Sequence, residues 1–190
     1  IGTSMGGNIG MVCAAALALP AFKGRLRSLL LNDIAPEISS AAVERIKTYA
    51  GQPPAFDTMP QLEAFFRQVY APFGLHSDAE WQHLTETSWR RLPDGRVTPH
   101  YDPQLVQQLF RETPEFDMWV QYDALDMPVF VMRGAQSDLV SAQTVEVMHT
   151  RGPGAKGLLR SEEIAGCGHA PALNTAAQME SVLRFLRECD

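Results

Sequence analysis

Residues 1–20 read IGTSMGGNIGMVCAAALALP, and positions 2–6 place a serine between two glycines, each separated from it by one residue. That spacing suits a sharp strand-to-helix turn that lifts a serine hydroxyl clear of the surrounding backbone. Glycine removes the side chains that so tight a turn would crowd. Residues 8–19 are rich in alanine and leucine, which predicts a closely packed helix closed by Pro20. A helix that starts near Met5 turns its positive end toward Ser4. Only Ile1 precedes the first glycine, so the strand this turn needs is not in view. The rest of the chain has to supply the context.

Three stretches read as buried parallel strands: LRSLLLND at 26–33, MPVFVMRG at 127–134 and, more weakly, AKGLLRSEEI at 155–164. SAQTVEVMHT at 141–150 predicts a helix between the last two. PALNTAAQMESVLRFLREC at 171–189 supplies a terminal one, with Met179, Val182, Leu183 and Leu186 at helical spacing. Strand and helix in alternation indicate an α/β architecture with a mostly parallel sheet. Residues 36–126 interrupt it and read as helical throughout. Ser39 or Ser40, Thr58 with Pro60, and Ser77 with Glu80 are helix starts, the last a capping box before Trp81, Leu84 and Trp89. DPQLVQQLFRE at 102–112 predicts one more helix. The expected organisation is a core of residues 1–35 and 127–190 with a helical cap, 36–126, inserted between its strands.

A serine nucleophile needs a base, and the base needs an orienting acid. In an open parallel sheet such groups belong at the C-terminal ends of strands. His169, in GCGHAPAL after the third strand, is the histidine with that placement; His76, His83, His100 and His149 fall in the cap or on a helix. Asp138, four residues beyond VFVMRG, is the preferred acid, and Asp33, at the end of the first long strand, is the alternative. Ser4, Asp138 and His169 then follow in the order nucleophile, acid, base, each after its own strand.

The motifs GTSMGG, VMRGAQSDLVS and GCGHAPAL resemble the serine elbow, acid loop and histidine loop of the α/β-hydrolase fold family, in particular bacterial 3-oxoadipate enol-lactonases and related esterases. LLLND at 29–33 is similar to the strand end that precedes that family's cap. The resemblance covers essentially the whole chain. It implies a serine hydrolase acting on a small carboxylic ester or enol-lactone, with the Met5 backbone N–H as one oxyanion-hole donor. It also implies that about the first third of the usual eight-stranded fold, with the second oxyanion donor, lies outside this sequence. Ser4 in place of an aspartate argues against dehalogenase or epoxide-hydrolase chemistry. The alternatives are a carbon–carbon hydrolase of diketone-like meta-cleavage products and a non-catalytic binding protein on the same fold.

Composition narrows the partners. The 190 residues are 45% hydrophobic and 20% charged, with 16 basic against 22 acidic side chains and a net charge of -6. This describes a soluble globular protein with no expected nucleic-acid or membrane partner. Cys13, Cys167 and Cys189 have no metal-like spacing and read as free thiols in a reducing, cytoplasmic compartment. No cofactor and no metal is expected. The partners expected are a small-molecule carbonyl substrate and the N-terminal part of the same fold, covalent or as a companion chain, because the strand at 26–33 otherwise presents an open apolar edge. A homo-oligomer is left open. Among the cap aromatics, Phe66 and Trp119 are the candidates to line a substrate pocket.

Overall fold

The computed structural model describes residues 1–16, 25–105 and 117–189. In chain order the elements are β1 (Gly2–Thr3), α1 (Met5–Ala16), β2 (Leu29–Asn32), α2 (Ser40–Ala50), α3 (Met59–Val69), a 3-10 turn (Ala71–Phe73), α4 (Asp78–Thr87), β3 (Trp89–Arg91) and β4 (Val97–Pro99). They continue with α5 (Trp119–Asp123), β5 (Val129–Gly134), α6 (Ala142–His149), α7 (Gly152–Ala155), β6 (Leu159–Ile164) and α8 (Ala176–Glu188). The end of the predicted helix at 17–19 and most of the one at 102–112 lie outside the described residues.

The main sheet runs β1-β2-β5-β6, and every neighbouring pair is parallel. Its two central strands are hydrophobic on both faces, which is why they read as unbroken apolar runs. Leu29 pairs with Val129 and Leu31 with Val131, and these four share a core with Met11 and Ala14 of α1, Tyr122 of α5 and Met148 of α6. Leu30, Phe130 and Met132 point to the opposite face, against Phe185 of α8 and Ile164. The two-residue period of a strand thus sends alternate residues into two different cores. Leu30, Phe130 and Met132 are at most 1% exposed, and burying each contributes about 1.5–3 kcal/mol.

β1 covers only the C-terminal half of β2: Gly2 and Thr3 pair with Leu31 and Asn32, and among the described residues no strand pairs with Leu29 and Leu30 on that side. α1 buries Gly7, Met11 and Ala14 while Met5, Ile9 and Val12, at spacings of four and three, are exposed.

The segment between β2 and β5 differs from the helix-only expectation. Trp89 does not continue α4; it begins an antiparallel hairpin in which Trp89, Arg90 and Arg91 pair with Pro99, Thr98 and Val97. Leu92-Pro93-Asp94-Gly95 makes the turn, with Gly95 at φ 91° and its N–H bonded to Leu92 O at 2.9 Å. Proline, aspartate and glycine in succession are turn chemistry, and this was the signal for the hairpin. Val97 also bridges to Phe56, and together with Leu62, Phe66 and Trp81 it builds a separate small core. The helix starts are as the sequence predicts. Ser39 accepts from Ala42 N, and Thr58 and Ser77 both form capping boxes.

Candidate active site

β1 ends where the chain turns sharply into α1, and Ser4 occupies that turn at φ 50°. This left-handed conformation costs a non-glycine residue about 1–2 kcal/mol, so the surroundings must enforce it. Ser4 N donates to Asn32 O at 3.1 Å, extending the ladder to β2, and Ser4 O accepts from Gly7 N at 2.8 Å. The turn is tight enough that a Cβ on Gly2 would lie 2.5 Å from the carbonyl carbon and oxygen of Gly6. A Cβ on Gly7 would lie 2.3 Å from Ile34 Cγ2, whereas one on Gly6 would meet nothing within 4 Å. The two glycines of the motif therefore differ. Gly2→Ala forces backbone against backbone and is expected to destabilise the protein by at least about 1–3 kcal/mol. Gly6→Ala in α1 is expected to be neutral or stabilising by up to about 1 kcal/mol. Urea unfolding of both variants checks the pair, and equal midpoints would contradict this account of the turn.

The turn places Ser4 Oγ 2.9 Å from His169 Nε2. The other ring nitrogen, Nδ1, lies 2.8 Å from Asp33 Oδ2. A carboxylate facing Nδ1 takes its proton as a hydrogen bond, which leaves the Nε2 lone pair toward the serine. Asp33 is fully buried and the His169 side chain is 9% exposed. A buried carboxylate is tolerated only when its oxygens are occupied by donors, and here they are. Oδ1 accepts from Gly134 N at 2.8 Å, and Oδ2 accepts from Ser137 Oγ at 2.7 Å as well as from the imidazole.

The acid that meets His169 is therefore Asp33, and the preference for Asp138 is corrected. Asp138 lies on the surface, its two oxygens taken by Arg45 Nε at 2.7 Å and Nη2 at 3.0 Å. The physical reason lies one residue earlier. Ser137 turns inward, accepting from Leu139 N and Val140 N while reaching Asp33, so its neighbour in the loop points out toward α2. Asp33 meanwhile follows β2 at φ 50°, its N–H held by Met132 O at 2.7 Å. That kink at the strand end delivers its carboxylate beneath the histidine.

Close backbone contact positions the histidine loop. A Cβ on Gly134 would lie 2.3 Å from Gly168 O, so β5 and this loop touch where only glycine fits. Gln136 N donates to Cys167 O at 2.8 Å, and Gly168 N to Pro72 O at 2.7 Å. The first bond ties the loop to the strand end and the second to the 3-10 turn. Cys167 is 2% exposed in this packing, and burial pushes its thiol pKa up. Asn32, beside Asp33, donates to Thr3 Oγ1 and to Pro171 O, which joins the turn, β2 and the segment after His169.

Met5 opens α1, so its N–H is among the first-turn donors that a helix leaves without an internal acceptor. Its place directly after Ser4 suits a developing oxyanion. Beside the histidine loop lies an open cavity of about 500 Å³ lined by Arg45, Tyr49, Gln68, Val69, Ala71, Pro72, Gln136 and Asp138. Neither predicted pocket aromatic lines it. Phe66 is fully buried in the small core of the intervening segment, stacked on Tyr70 at 5.2 Å. Trp119 packs edge-on against Tyr122 and under the Arg151 guanidinium, with its indole N–H on Glu37. Both rings are engaged in packing. Among the described residues no group of three or more His, Cys, Asp or Glu side chains is placed to hold a metal, and no helix is long and apolar enough to cross a membrane.

No protein-family model matches the chain. It is 38% identical to a 3-hydroxybutyrate-oligomer hydrolase of Cupriavidus necator over 193 residues, which cover 97% of this chain and 63% of that protein. An alpha/beta hydrolase from Novosphingobium aromaticivorans superposes with a TM-score of 0.81 at 32% identity, over 98% of this chain and 64% of the other. A solved chain from Rickettsia typhi gives a TM-score of 0.86 at 26% identity, over 100% and 62%. The chain thus spans less than two thirds of the length of these relatives. The narrower likeness to 3-oxoadipate enol-lactonases does not emerge from these matches.

Proposed function

The chain has the fold of the α/β hydrolases, and from that premise we propose that it carries the Ser–His–Asp centre of a serine esterase. One observation carries the reading: a serine held at φ 50° hydrogen-bonds a histidine whose other nitrogen meets a buried carboxylate. In this reading His169 takes the proton from Ser4 Oγ as the oxygen attacks the ester carbonyl carbon. Asp33 holds the tautomer and stabilises the imidazolium. The Met5 N–H meets the oxyanion, together with a second donor that the described residues do not assign. As the tetrahedral intermediate collapses, the ester C–O bond breaks and His169 returns its proton to the leaving alcohol. Water, activated by the same histidine, then releases the acid from Ser4.

The relative from Cupriavidus necator is a hydrolase of 3-hydroxybutyrate oligomers by name. We take short oligoesters of 3-hydroxy acids as the first substrate class, with the residues between β2 and β5 forming a cap over the site. An enol-lactone presents the same kind of carbonyl and belongs in the same assay. The intact protein is incubated with the 3-hydroxybutyrate dimer and trimer and with a small enol-lactone, and released acid is quantified by chromatography. Monomer release that disappears in Ser4→Ala is expected. Release unchanged in Ser4→Ala, or none from any ester by folded protein, would contradict the reading.

A further inference from the structure

Asp33 has a third partner that the Ser–His–Asp reading does not require. Ser137 Oγ lies 2.7 Å from Asp33 Oδ2, the same oxygen that meets His169 Nδ1. The direction of this bond follows from the other neighbours of the hydroxyl. Leu139 N and Val140 N both donate to Ser137 Oγ, at 3.2 and 3.0 Å. A hydroxyl has one proton and two acceptor sites. Two backbone N–H groups fill the acceptor sites, so the proton is left to point at the carboxylate. The rotor is fixed before any substrate arrives.

We propose that Ser137 is a positioning residue for the esterase reaction, clamping Asp33 so that Oδ2 stays aimed at His169. The inference rests on the Ser–His–Asp reading above. A carboxylate held by one hydrogen bond can rotate about its Cβ–Cγ bond. Asp33 is gripped at both oxygens, by Gly134 N on Oδ1 and by Ser137 on Oδ2. The imidazole takes the remaining lone pair of Oδ2. Ser137 comes from the loop after β5 and Asp33 from the end of β2, two neighbouring strands of the sheet. The same loop is anchored outside by Asp138 on Arg45 of α2. Two consecutive residues therefore do different work: Ser137 grips the acid, and Asp138 ties the loop to the intervening segment.

The test uses the intact protein with an ester substrate and a fluorophosphonate probe that counts reactive serines. Ser137→Ala removes a hydrogen bond to a charged group, and kcat per labelled site is expected to fall about 10- to 100-fold. KM should stay within about twofold, since no substrate contact is lost. Ser137→Thr keeps the hydroxyl and is expected to restore most of the rate. The labelled fraction at long times separates misfolding from misalignment, because a folded but misaligned site still reaches one adduct per chain, slowly. Parental kcat per labelled site in Ser137→Ala overturns the proposal, whether or not the labelled fraction falls. So does a Ser137→Thr variant as slow as Ser137→Ala. Failure of the underlying reading looks different: the parent protein would take no adduct at Ser4, and Ser4→Ala would keep its activity.

Discussion

Ser4→Ala and His169→Ala are each expected to lower kcat about a millionfold, with KM changed little. In energy this is about 8 kcal/mol of transition-state stabilisation. The size follows from the geometry, because Ser4 Oγ and His169 Nε2, 2.9 Å apart, form a single device. Without the histidine the hydroxyl keeps its proton and is a poor nucleophile. Without the serine the histidine has no covalent route to assist. The double variant is therefore expected to be no slower than either single one. Additive losses would mean that the two side chains act in separate steps. Steady-state kinetics at saturating ester, with wild-type contamination excluded by active-site titration, measures this directly.

Asp33→Ala is expected to lower kcat about ten-thousandfold, whereas Asp138→Ala should leave it within about threefold of the parent. Removing the Asp33 carboxylate takes away the acceptor that holds the hydrogen on Nδ1, so the other neutral tautomer, with its hydrogen on Nε2, forms and cannot accept one from serine. It also leaves Gly134 N and the Ser137 hydroxyl without their buried acceptor, so a loss of stability of about 1–3 kcal/mol should accompany the kinetic effect. Asp138 presents the opposite case. Its pair with Arg45 is between side chains 38% and 48% exposed, and such pairs are worth at most about 1 kcal/mol. Comparing the two variants by kcat and by thermal unfolding separates a charge that serves chemistry from one that serves a surface.

How far the sequence could be read follows the range of the forces involved. Helix starts are local events, decided within four residues, so Ser39, Thr58 and Ser77 were legible as caps. The central strands were legible because burial on both faces leaves unbroken apolar runs at 29–31 and 129–132. Ser4 and His169 were legible as strand-end residues in glycine-bearing loops. The acid was not. Asp33 and Asp138 both follow apolar strands, and those strands lie side by side, so sequence position does not separate them. What separates them is side-chain direction. The φ of 50° at Asp33 and the inward turn of Ser137 decide it, and both depend on contacts across 101 to 136 residues. Ser137 was missed for the same reason, since a serine in a polar loop carries no local mark of its partner. Phe66 and Trp119 show a related limit: a large aromatic residue suits a core as well as a pocket, and only the packing tells which.

In the proposed centre Ser4 is the nucleophile and Asp33, through His169, activates it. Fluorophosphonate labelling followed by peptide mass mapping is the sharpest test of that assignment, run on the parent protein, Asp33→Ala and Asp138→Ala. One adduct is expected, on the peptide containing Ser4, formed at near-parental rate in Asp138→Ala and slower by roughly a thousandfold or more in Asp33→Ala. An adduct on another residue, or parental labelling in Asp33→Ala with the loss in Asp138→Ala, would contradict it.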